Sequence, residues 1–267
     1  MVINSYGVRE QYDIKKEFDL EKEQFERNGY ALISSGFSKE KILEIKEEFT
    51  SIRKKYIQKY SSSYLESRNE HNGIRLPLLL SNVFLELAAN ERVIKFLTHF
   101  LGEGFILNQQ NGVVNPAGEE YNQGKWHRDL PYQHFTTSRP IAINALYCVD
   151  EFTLNNGATK VIPSSHLHET FPSNEYIDEN EKQIIANAGD YLILNCMLYH
   201  SGGKNVTIYD RCAVNHVYAA PIFAKQIQLD KEMFVYKFDI EKFEKLLGLR
   251  FSVKSGVSEY LESRIQV

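Results

Sequence analysis

The sequence predicts a mainly β protein with a jelly-roll core and flanking helices. Apolar residues recur at helical spacing before residue 103, whereas short strand signals separated by turn residues dominate from 103 to 221. The length of 267 residues is one that all-β sandwiches and barrels often reach as one domain. We therefore expect a single domain with a mainly helical part at 1–102, a jelly-roll core at 103–221 and a mixed segment at 222–267.

The N-terminal part is predicted from helical periodicity and from residues that begin and end helices. Residues 18–28 indicate a short polar helix that ends at Gly29, and an apolar strand follows at 30–34. Ser38 is a typical N-cap residue, and apolar positions at helical spacing follow it over 39–59. This pattern predicts a long amphipathic helix there.

The remaining segments alternate between polar connections and periodic stretches. We expect a polar loop at 61–73, two short helices within 81–101, and mixed helix and loop from residue 229 onward. The polar stretch 173–182 is interpreted as either a lid or a solvated loop. The strands predicted for the core lie at 105–114, 141–149, 159–162, 183–188, 191–199 and 211–219.

Composition and charge exclude several classes of function. The chain is 43% hydrophobic and 25% charged, with a net charge of −4 and no basic patch or long apolar run. We therefore expect neither a nucleic-acid partner nor a membrane partner. Cys148, Cys196 and Cys212 are widely spaced, and the N-terminus lacks the apolar centre of a secretion signal. Both features predict a cytoplasmic protein with reduced thiols.

The most informative motif is Trp-His-Arg-Asp at 126–129. His127 and Asp129 are two residues apart, so on an extended strand both side chains point to one face. His200 ends the apolar stretch 191–199 and can complete a set of two imidazoles and one carboxylate. That set, with other coordination positions open, is typical of non-haem Fe(II) oxygenases. We therefore predict that these three residues are catalytic and bind the metal.

Each member of this set also has an ordinary structural interpretation. His127 could be a hairpin histidine hydrogen-bonded to Asp129, and His200 could be a solvent-facing strand-end residue. Arg211 could form a surface ion pair with Asp210. Taken together, the residues favour a site, because the planar guanidinium of Arg211 suits the far carboxylate of a dicarboxylate co-substrate. A closed four-ligand zinc site would favour cysteine ligands, and the set contains none.

The order and spacing of several blocks resemble the phytanoyl-CoA dioxygenase-like family of Fe(II)/2-oxoglutarate-dependent oxygenases over roughly residues 21–221. The blocks are Gly29-Tyr30, Trp126–Pro131, Asn155–Ala158, Pro163–His166, Gly189-Asp190, and His200-Ser201-Gly202 followed by Asn205 and Arg211. Their common order is more specific than any one block.

This resemblance implies a double-stranded β-helix, cupin-like core in which His127, Asp129 and His200 bind Fe(II). It also implies that Arg211 forms a salt bridge with the distal carboxylate of 2-oxoglutarate, and that O₂ is consumed with release of succinate and CO₂. A polar residue on the preceding strand usually helps to bind co-substrate or substrate. Asn108, Gln109, Gln110 and Asn111 compete for this role, and Gln109 aligns best.

Two positions depart from the family pattern. Gly202 stands where a serine is frequent, which removes one possible hydrogen bond to the co-substrate, and Leu146 lies near the place of a frequent pocket tryptophan. Both departures indicate a reshaped pocket. Asp129 is retained, whereas halogenating relatives lack that carboxylate, so the resemblance implies a hydroxylase or another oxidative enzyme.

Substrate contacts are expected from the N-terminal loop and from the segment after the ligand pair. Arg75, Arg128, Tyr132 and His134 are candidate substrate-binding residues, although each could instead serve solvation or packing. The sequence predicts a small-molecule substrate without naming it. Two other interpretations stay open, namely a metal-binding cupin with chemistry that needs no oxo acid, such as an isomerase, and a non-catalytic jelly-roll binding protein.

Overall fold

The computed structural model describes residues 6–130, 135–251, 253–254 and 256–264. The helices are α1 Asp19–Asn28, α2 Lys39–Tyr60, α3 Ser62–Glu66, α4 Asn82–Ala88, α5 Glu91–Leu101, α6 Asn174–Asn180, α7 Ile240–Phe243 and α8 Val257–Glu262. The strands are β1 Tyr30–Ser34, β2 Gly73–Arg75, β3 Ile106–Asn115, β4 Ala142–Cys148, β5 Lys160–Val161, β6 Lys182–Gln183, β7 Asp190–Asn195, β8 His200–Ser201 and β9 Arg211–Ala219.

Two antiparallel sheets form the core of the fold. The larger sheet has the strand order β1-β7-β4-β9-β3-β2, and the smaller sheet has the order β6-β5-β8. Strands β1 and β2 come from the N-terminal part, so this part adds both edges of the larger sheet. This arrangement confirms the predicted jelly roll with flanking helices. The single-domain boundaries stay a prediction.

Alternation along the central strands separates two environments. On β4, Ile143, Ala145 and Tyr147 pack with the helices in the main hydrophobic core. The intervening residues Leu146 and Cys148 pack in a second apolar cluster with residues of the smaller sheet. The larger sheet is therefore covered on one face by helices, and its other face looks towards the smaller sheet. This second face carries the candidate site.

Two distant sequence blocks meet where α1 ends. Gly29 has φ of 83°, and an added Cβ would lie 2.5 Å from Nδ1 of His166. The N–H of Ser164 donates to the carbonyl of Asn28, and its hydroxyl donates to the carbonyl of Arg27. The glycine is thus required both by its backbone conformation and by the close approach of the 163–166 block.

Most predicted elements of the N-terminal part are confirmed. The first helix begins at Asp19, the following strand is Tyr30–Ser34, and the side chain of Ser38 caps α2 by accepting from the N–H of Lys41. The predicted helical stretch 81–101 is the pair α4 and α5.

Three boundary predictions are wrong for local reasons. The predicted loop 61–73 contains α3, because the side chain of Ser61 accepts from the N–H of Tyr64 and caps a helical turn. The strand predicted at 191–199 ends at Asn195, whose side chain accepts from the N–H of Met197 and turns the chain. The strand predicted at 183–188 is limited to β6, with only an isolated bridge at Ala186 beyond it.

The polar stretch 173–182, interpreted from the sequence as a lid or a solvated loop, contains the helix α6. The helix does not decide whether the stretch acts as a lid. The side chain of Ser173 accepts from the N–H of Tyr176 and caps this helix. Within the described residues, no helix combines the length and apolar character needed to span a bilayer.

Candidate functional site

Backbone pairing brings the two predicted histidine ligands together. The N–H of His127 donates to the carbonyl of His200 at 3.0 Å, and the N–H of His200 donates back to the carbonyl of His127 at 3.1 Å. The N–H of Asp129 donates to the carbonyl of Cys196 at 3.1 Å. This short antiparallel contact joins residues far apart in sequence, and the two imidazole centroids lie 4.3 Å apart.

Both imidazoles are oriented by backbone carbonyls. Nδ1 of His127 lies 2.7 Å from the carbonyl oxygen of Lys125, and Nδ1 of His200 lies 3.0 Å from that of Leu198. A proton on each Nδ1 satisfies these carbonyls and leaves the lone pair of each Nε2 for a metal. Nε2 of His200 lies 3.7 Å from Oδ1 of Asp129. Ligand atoms of His127, Asp129 and His200 all lie within 4.8 Å of one another.

Asn144 holds the carboxylate of this group. Its Nδ2 donates to Oδ2 of Asp129 at 2.8 Å, while the opposite oxygen, Oδ1, faces His200. Burial and the nearby His200 lower the pKa of His127, so its imidazole stays neutral at ordinary pH. Two imidazoles and one oriented carboxylate fit Fe(II), and they leave positions for further ligands.

Arg211 begins β9 and is buried, with 2% of its surface exposed. Its Nη2 donates to the carbonyl of Gly157 at 2.9 Å and to the hydroxyl of Tyr121 at 3.4 Å, and its guanidinium lies 4.1 Å from the ring centroid of Phe152. Its Nε is buried without a hydrogen-bond partner among the described residues. Asp210 pairs instead with Arg53, at 2.9 Å, so the surface ion-pair interpretation of Arg211 is wrong.

The metal-ligand group and Arg211 line one cavity of about 200 Å³. Val113 and Leu146 are its aliphatic lining residues among those that the structure describes, and most other side chains are polar. Primary amides predominate: Asn69, Asn72, Gln109, Asn111, Asn122, Gln123, Asn144 and Asn215. The cavity therefore suits polar ligands, including a dicarboxylate, beside the metal-ligand group.

Strand alternation on β3 separates the four polar residues that were candidates for one role. Gln109 and Asn111 line the cavity, and the co-substrate role of Gln109 stays a prediction. Gln110 lies on the helix side, where it accepts from the N–H of Leu78 and donates to the carbonyl of Phe84. Asn108 is buried against the chain near residues 223–224.

Arg75 lines the cavity, but its charge is paired. Its Nε donates to Oε2 of Glu70 at 2.8 Å, its Nη2 donates to Oε1 of the same carboxylate, and its Nη1 donates to Asn111 at 3.3 Å. Any substrate therefore meets an ion pair at this position, and a lone cation is not available.

Arg128 does not have the location that a substrate contact requires. Its guanidinium donates to the backbone carbonyls of Met197, Ser165, His168 and Glu169 and stacks on the ring of Tyr199. Because these donors point away from the cavity, the predicted substrate contact of Arg128 is replaced by a structural role. Tyr132 and His134, the other two candidates, lie outside the described residues.

Sequence reasoning missed several residues that line the cavity. Asn144 carried a usable signal, since an asparagine in the apolar strand 141–149 needs a partner once it is buried. Tyr121 and Asn215 carried no such signal in the sequence. Only the three-dimensional fold brings Tyr121 to Arg211 and Asn215 to the amide side chains that line the cavity.

This fold and this group of ligands define a class, the metal-binding jelly rolls with two histidines and one carboxylate. Residues 25–213 match the phytanoyl-CoA dioxygenase (PhyH) family, and the chain belongs to that family. It is an Fe(II)- and 2-oxoglutarate-dependent dioxygenase that uses O₂.

The chain is also similar to individual relatives and shares its fold with solved structures. The chain is 23% identical over 241 residues to the uncharacterized protein Rv1501 of Mycobacterium tuberculosis, with 88% of each chain covered. It is 24% identical over 230 residues to the ectoine dioxygenase of Stutzerimonas stutzeri, covering 73% of this chain and 74% of that one. The crystal structure of EctD from S. alaskensis with 2-oxoglutarate and 5-hydroxyectoine shares the fold with a TM-score of 0.62, at 23% identity and with 80% and 78% coverage.

Proposed function

We propose that this dioxygenase hydroxylates a C–H bond of a small polar molecule. His127, Asp129 and His200 would bind Fe(II), and Arg211 would bind the distal carboxylate of 2-oxoglutarate. The observation that carries the proposal is the convergence of three ligand atoms within 4.8 Å in the same cavity as a buried arginine. When bound, the metal would supply activation of O₂, so that one oxygen atom enters the substrate C–H bond and the other enters succinate as 2-oxoglutarate loses CO₂.

The chain's own residues position the reactants. The carbonyls of Lys125 and Leu198 fix the imidazoles, and Asn144 fixes the carboxylate of Asp129, so the ligands need little reorganisation when a metal binds. Retention of Asp129 supports hydroxylation over halogenation, because a carboxylate fills the position that a halide would need.

The substrate class follows from the lining of the cavity. Primary amides both donate and accept hydrogen bonds, so they match hydroxyl, amide and ammonium–carboxylate groups better than alkyl chains. Because Glu70 and Arg75 form an ion pair, the part of the cavity lining that they form is nearly neutral in charge. A buried amide left without a partner would cost binding free energy, so an apolar substrate is disfavoured. We expect a compact substrate that is uncharged or zwitterionic and carries several polar groups.

The test uses purified protein under anaerobic conditions. Addition of 2-oxoglutarate to the Fe(II)-loaded protein should produce a visible absorption band, and His200→Ala should abolish metal binding. His168→Ala is the matched control, since His168 is exposed and its side chain lies outside the cavity. Absence of metal binding by the wild-type protein would refute the proposal.

Arg211 separates this function from a cupin that needs no oxo acid. Arg211→Met should weaken binding of 2-oxoglutarate by at least about 100-fold, because the distal carboxylate loses its charged partner. Unchanged binding would favour the other cupin chemistry.

The substrate class is tested by measuring succinate release with polyols, sugars and zwitterionic amino-acid derivatives. Long-chain acyl compounds are the contrasting set, and the oxidised product is identified by mass spectrometry.

A further inference from the structure

Tyr121 lies beside Arg211 at the end of the cavity where the distal carboxylate of the co-substrate is proposed to bind. We propose that the hydroxyl of Tyr121 is a second donor to that carboxylate, and that Gly202 is required because the tyrosine occupies the space of a side chain at 202. The inference rests on the proposed role of Arg211. It assigns the loop before the first ligand pair to co-substrate binding.

The contact between Tyr121 and Arg211 leaves the phenol proton available. Nη2 of Arg211 donates to the Tyr121 oxygen at 3.4 Å, so the hydroxyl acts as acceptor in this bond and keeps its own proton for another acceptor. Burial raises the pKa of Tyr121, which keeps the phenol protonated at neutral pH. Tyr121 and Arg211 both line the cavity, so the phenol O–H adds a neutral donor beside the guanidinium for a carboxylate oxygen.

Gly202 allows the aromatic ring to take this position. A Cβ added at 202 would lie 1.8 Å from the hydroxyl oxygen of Tyr121, 2.6 Å from Cζ and 3.0 Å from Cε1. A hydroxyl carried by a side chain at 202 would therefore begin in the space that the phenol oxygen now fills. The loss of a side-chain donor at 202 is compensated by a donor from a different segment.

The segment that carries Tyr121 is held against β8. The N–H of Gly202 donates to the carbonyl of Gln123 at 2.6 Å. On the outer side, Asn122 accepts from Nδ2 of Asn69 at 2.7 Å and donates to the backbone carbonyl of the same residue at 3.1 Å. These bonds fix both sides of the short turn at 122–124, so the phenol is pre-organised rather than free to swing away.

The first experiment measures binding of two oxo acids to metal-loaded protein under anaerobic conditions by calorimetry. Tyr121→Phe should weaken 2-oxoglutarate binding by about 10-fold or more, the loss expected for one hydrogen bond to a charged group. Binding of 2-oxobutyrate, which lacks a distal carboxylate, should not change. Tyr209→Phe is the control, because Tyr209 is 74% exposed and its side chain does not line the cavity. Equal weakening for both oxo acids, or for neither, would overturn the proposal.

The second experiment moves the hydroxyl back to position 202. Tyr121→Ala opens the space, and the double variant Tyr121→Ala/Gly202→Ser should bind 2-oxoglutarate about 10-fold more tightly than Tyr121→Ala alone. The double variant Tyr121→Ala/Gly202→Ala fills similar space without a hydroxyl and should give no such recovery. The idea is wrong if the serine and alanine variants bind the co-substrate equally well.

These outcomes are distinguishable from failure of the proposed function. If wild-type protein binds the metal but not 2-oxoglutarate, the role of Arg211 fails together with that of Tyr121. If wild-type protein binds 2-oxoglutarate and Tyr121→Phe binds it equally well, only the role of Tyr121 fails.

Discussion

The two ends of the cavity are built in different ways. At the metal-ligand end, backbone hydrogen bonds pair His127 with His200 and backbone carbonyls orient both rings. The rest of the lining, here called the outer wall, includes Asn69, Glu70, Arg75, Asn111, Asn122 and Asn215. Its side chains contact one another, as in the Asn69–Asn122 hydrogen bonds and the Glu70–Arg75 ion pair. Backbone pairing depends little on side-chain identity, whereas side-chain pairing changes with each substitution. The ligand geometry can therefore persist while the outer wall is altered for another substrate.

A buried arginine next to the metal-ligand group gives the largest expected effect on stability. Arg128→Met removes the donors to four backbone carbonyls and should lower the free energy of unfolding by about 3 kcal/mol. The measurement is urea unfolding followed by circular dichroism.

Arg68→Met is the matched control for Arg128→Met. The guanidinium of Arg68 lies 3.7 Å from the ring centroid of Tyr64, as that of Arg128 lies 3.9 Å from the ring centroid of Tyr199, but Arg68 is exposed. We expect its loss to cost less than about 1 kcal/mol. Equal effects of the two substitutions would show that the carbonyl bonds of Arg128 do not stabilise this end.

Asn144 and Asn215 provide a direct test of the contrast between the two ends. Both asparagines line the cavity and have a buried Oδ1 without a partner among the described residues, but only Asn144 donates to a predicted metal ligand. Asn144→Leu should weaken metal binding by about 10- to 100-fold, because the carboxylate of Asp129 loses its orienting hydrogen bond.

Asn215→Leu should leave metal affinity unchanged and should lower substrate-dependent succinate release. Metal affinity is measured by anaerobic competition with a chelating dye. A similar loss of metal affinity in both variants would contradict the separation between the metal-ligand end and the outer wall.

The sequence predicted the metal-ligand end better than the outer wall for a physical reason. His127 and Asp129 are two residues apart, which on an extended backbone places both side chains on one face, and Arg211 begins a strand that the apolar pattern marks. The cavity wall depends on strand order and register, as when β3 and β9 pair Asn111 with Asn215. No local pattern specifies that pairing.

Arg128 and Tyr121 show two ways in which position in the sequence fails to indicate which residues line the cavity. Arg128 lies between two predicted ligands, which suggested a substrate contact, yet its guanidinium donates to backbone carbonyls and does not line the cavity. Tyr121 lies outside every recognisable motif, yet it reaches Arg211. The sequence shows that residue 202 has no side chain, but it does not show that the ring of Tyr121 occupies the space of one.

The smallest effect on ligand affinity is expected from loss of the hydrogen bonds between Asn122 and Asn69. Asn122→Ala removes both hydrogen bonds to Asn69 and should loosen the turn at 122–124, because exposed hydrogen bonds contribute about 1 kcal/mol. The apparent affinity for 2-oxoglutarate should fall about 5-fold through the less fixed Tyr121. Metal affinity should not change. Asn180→Ala is the control, since Asn180 makes its side-chain hydrogen bond within the exposed helix α6. A loss of metal affinity in Asn122→Ala would show that the two ends of the cavity are coupled.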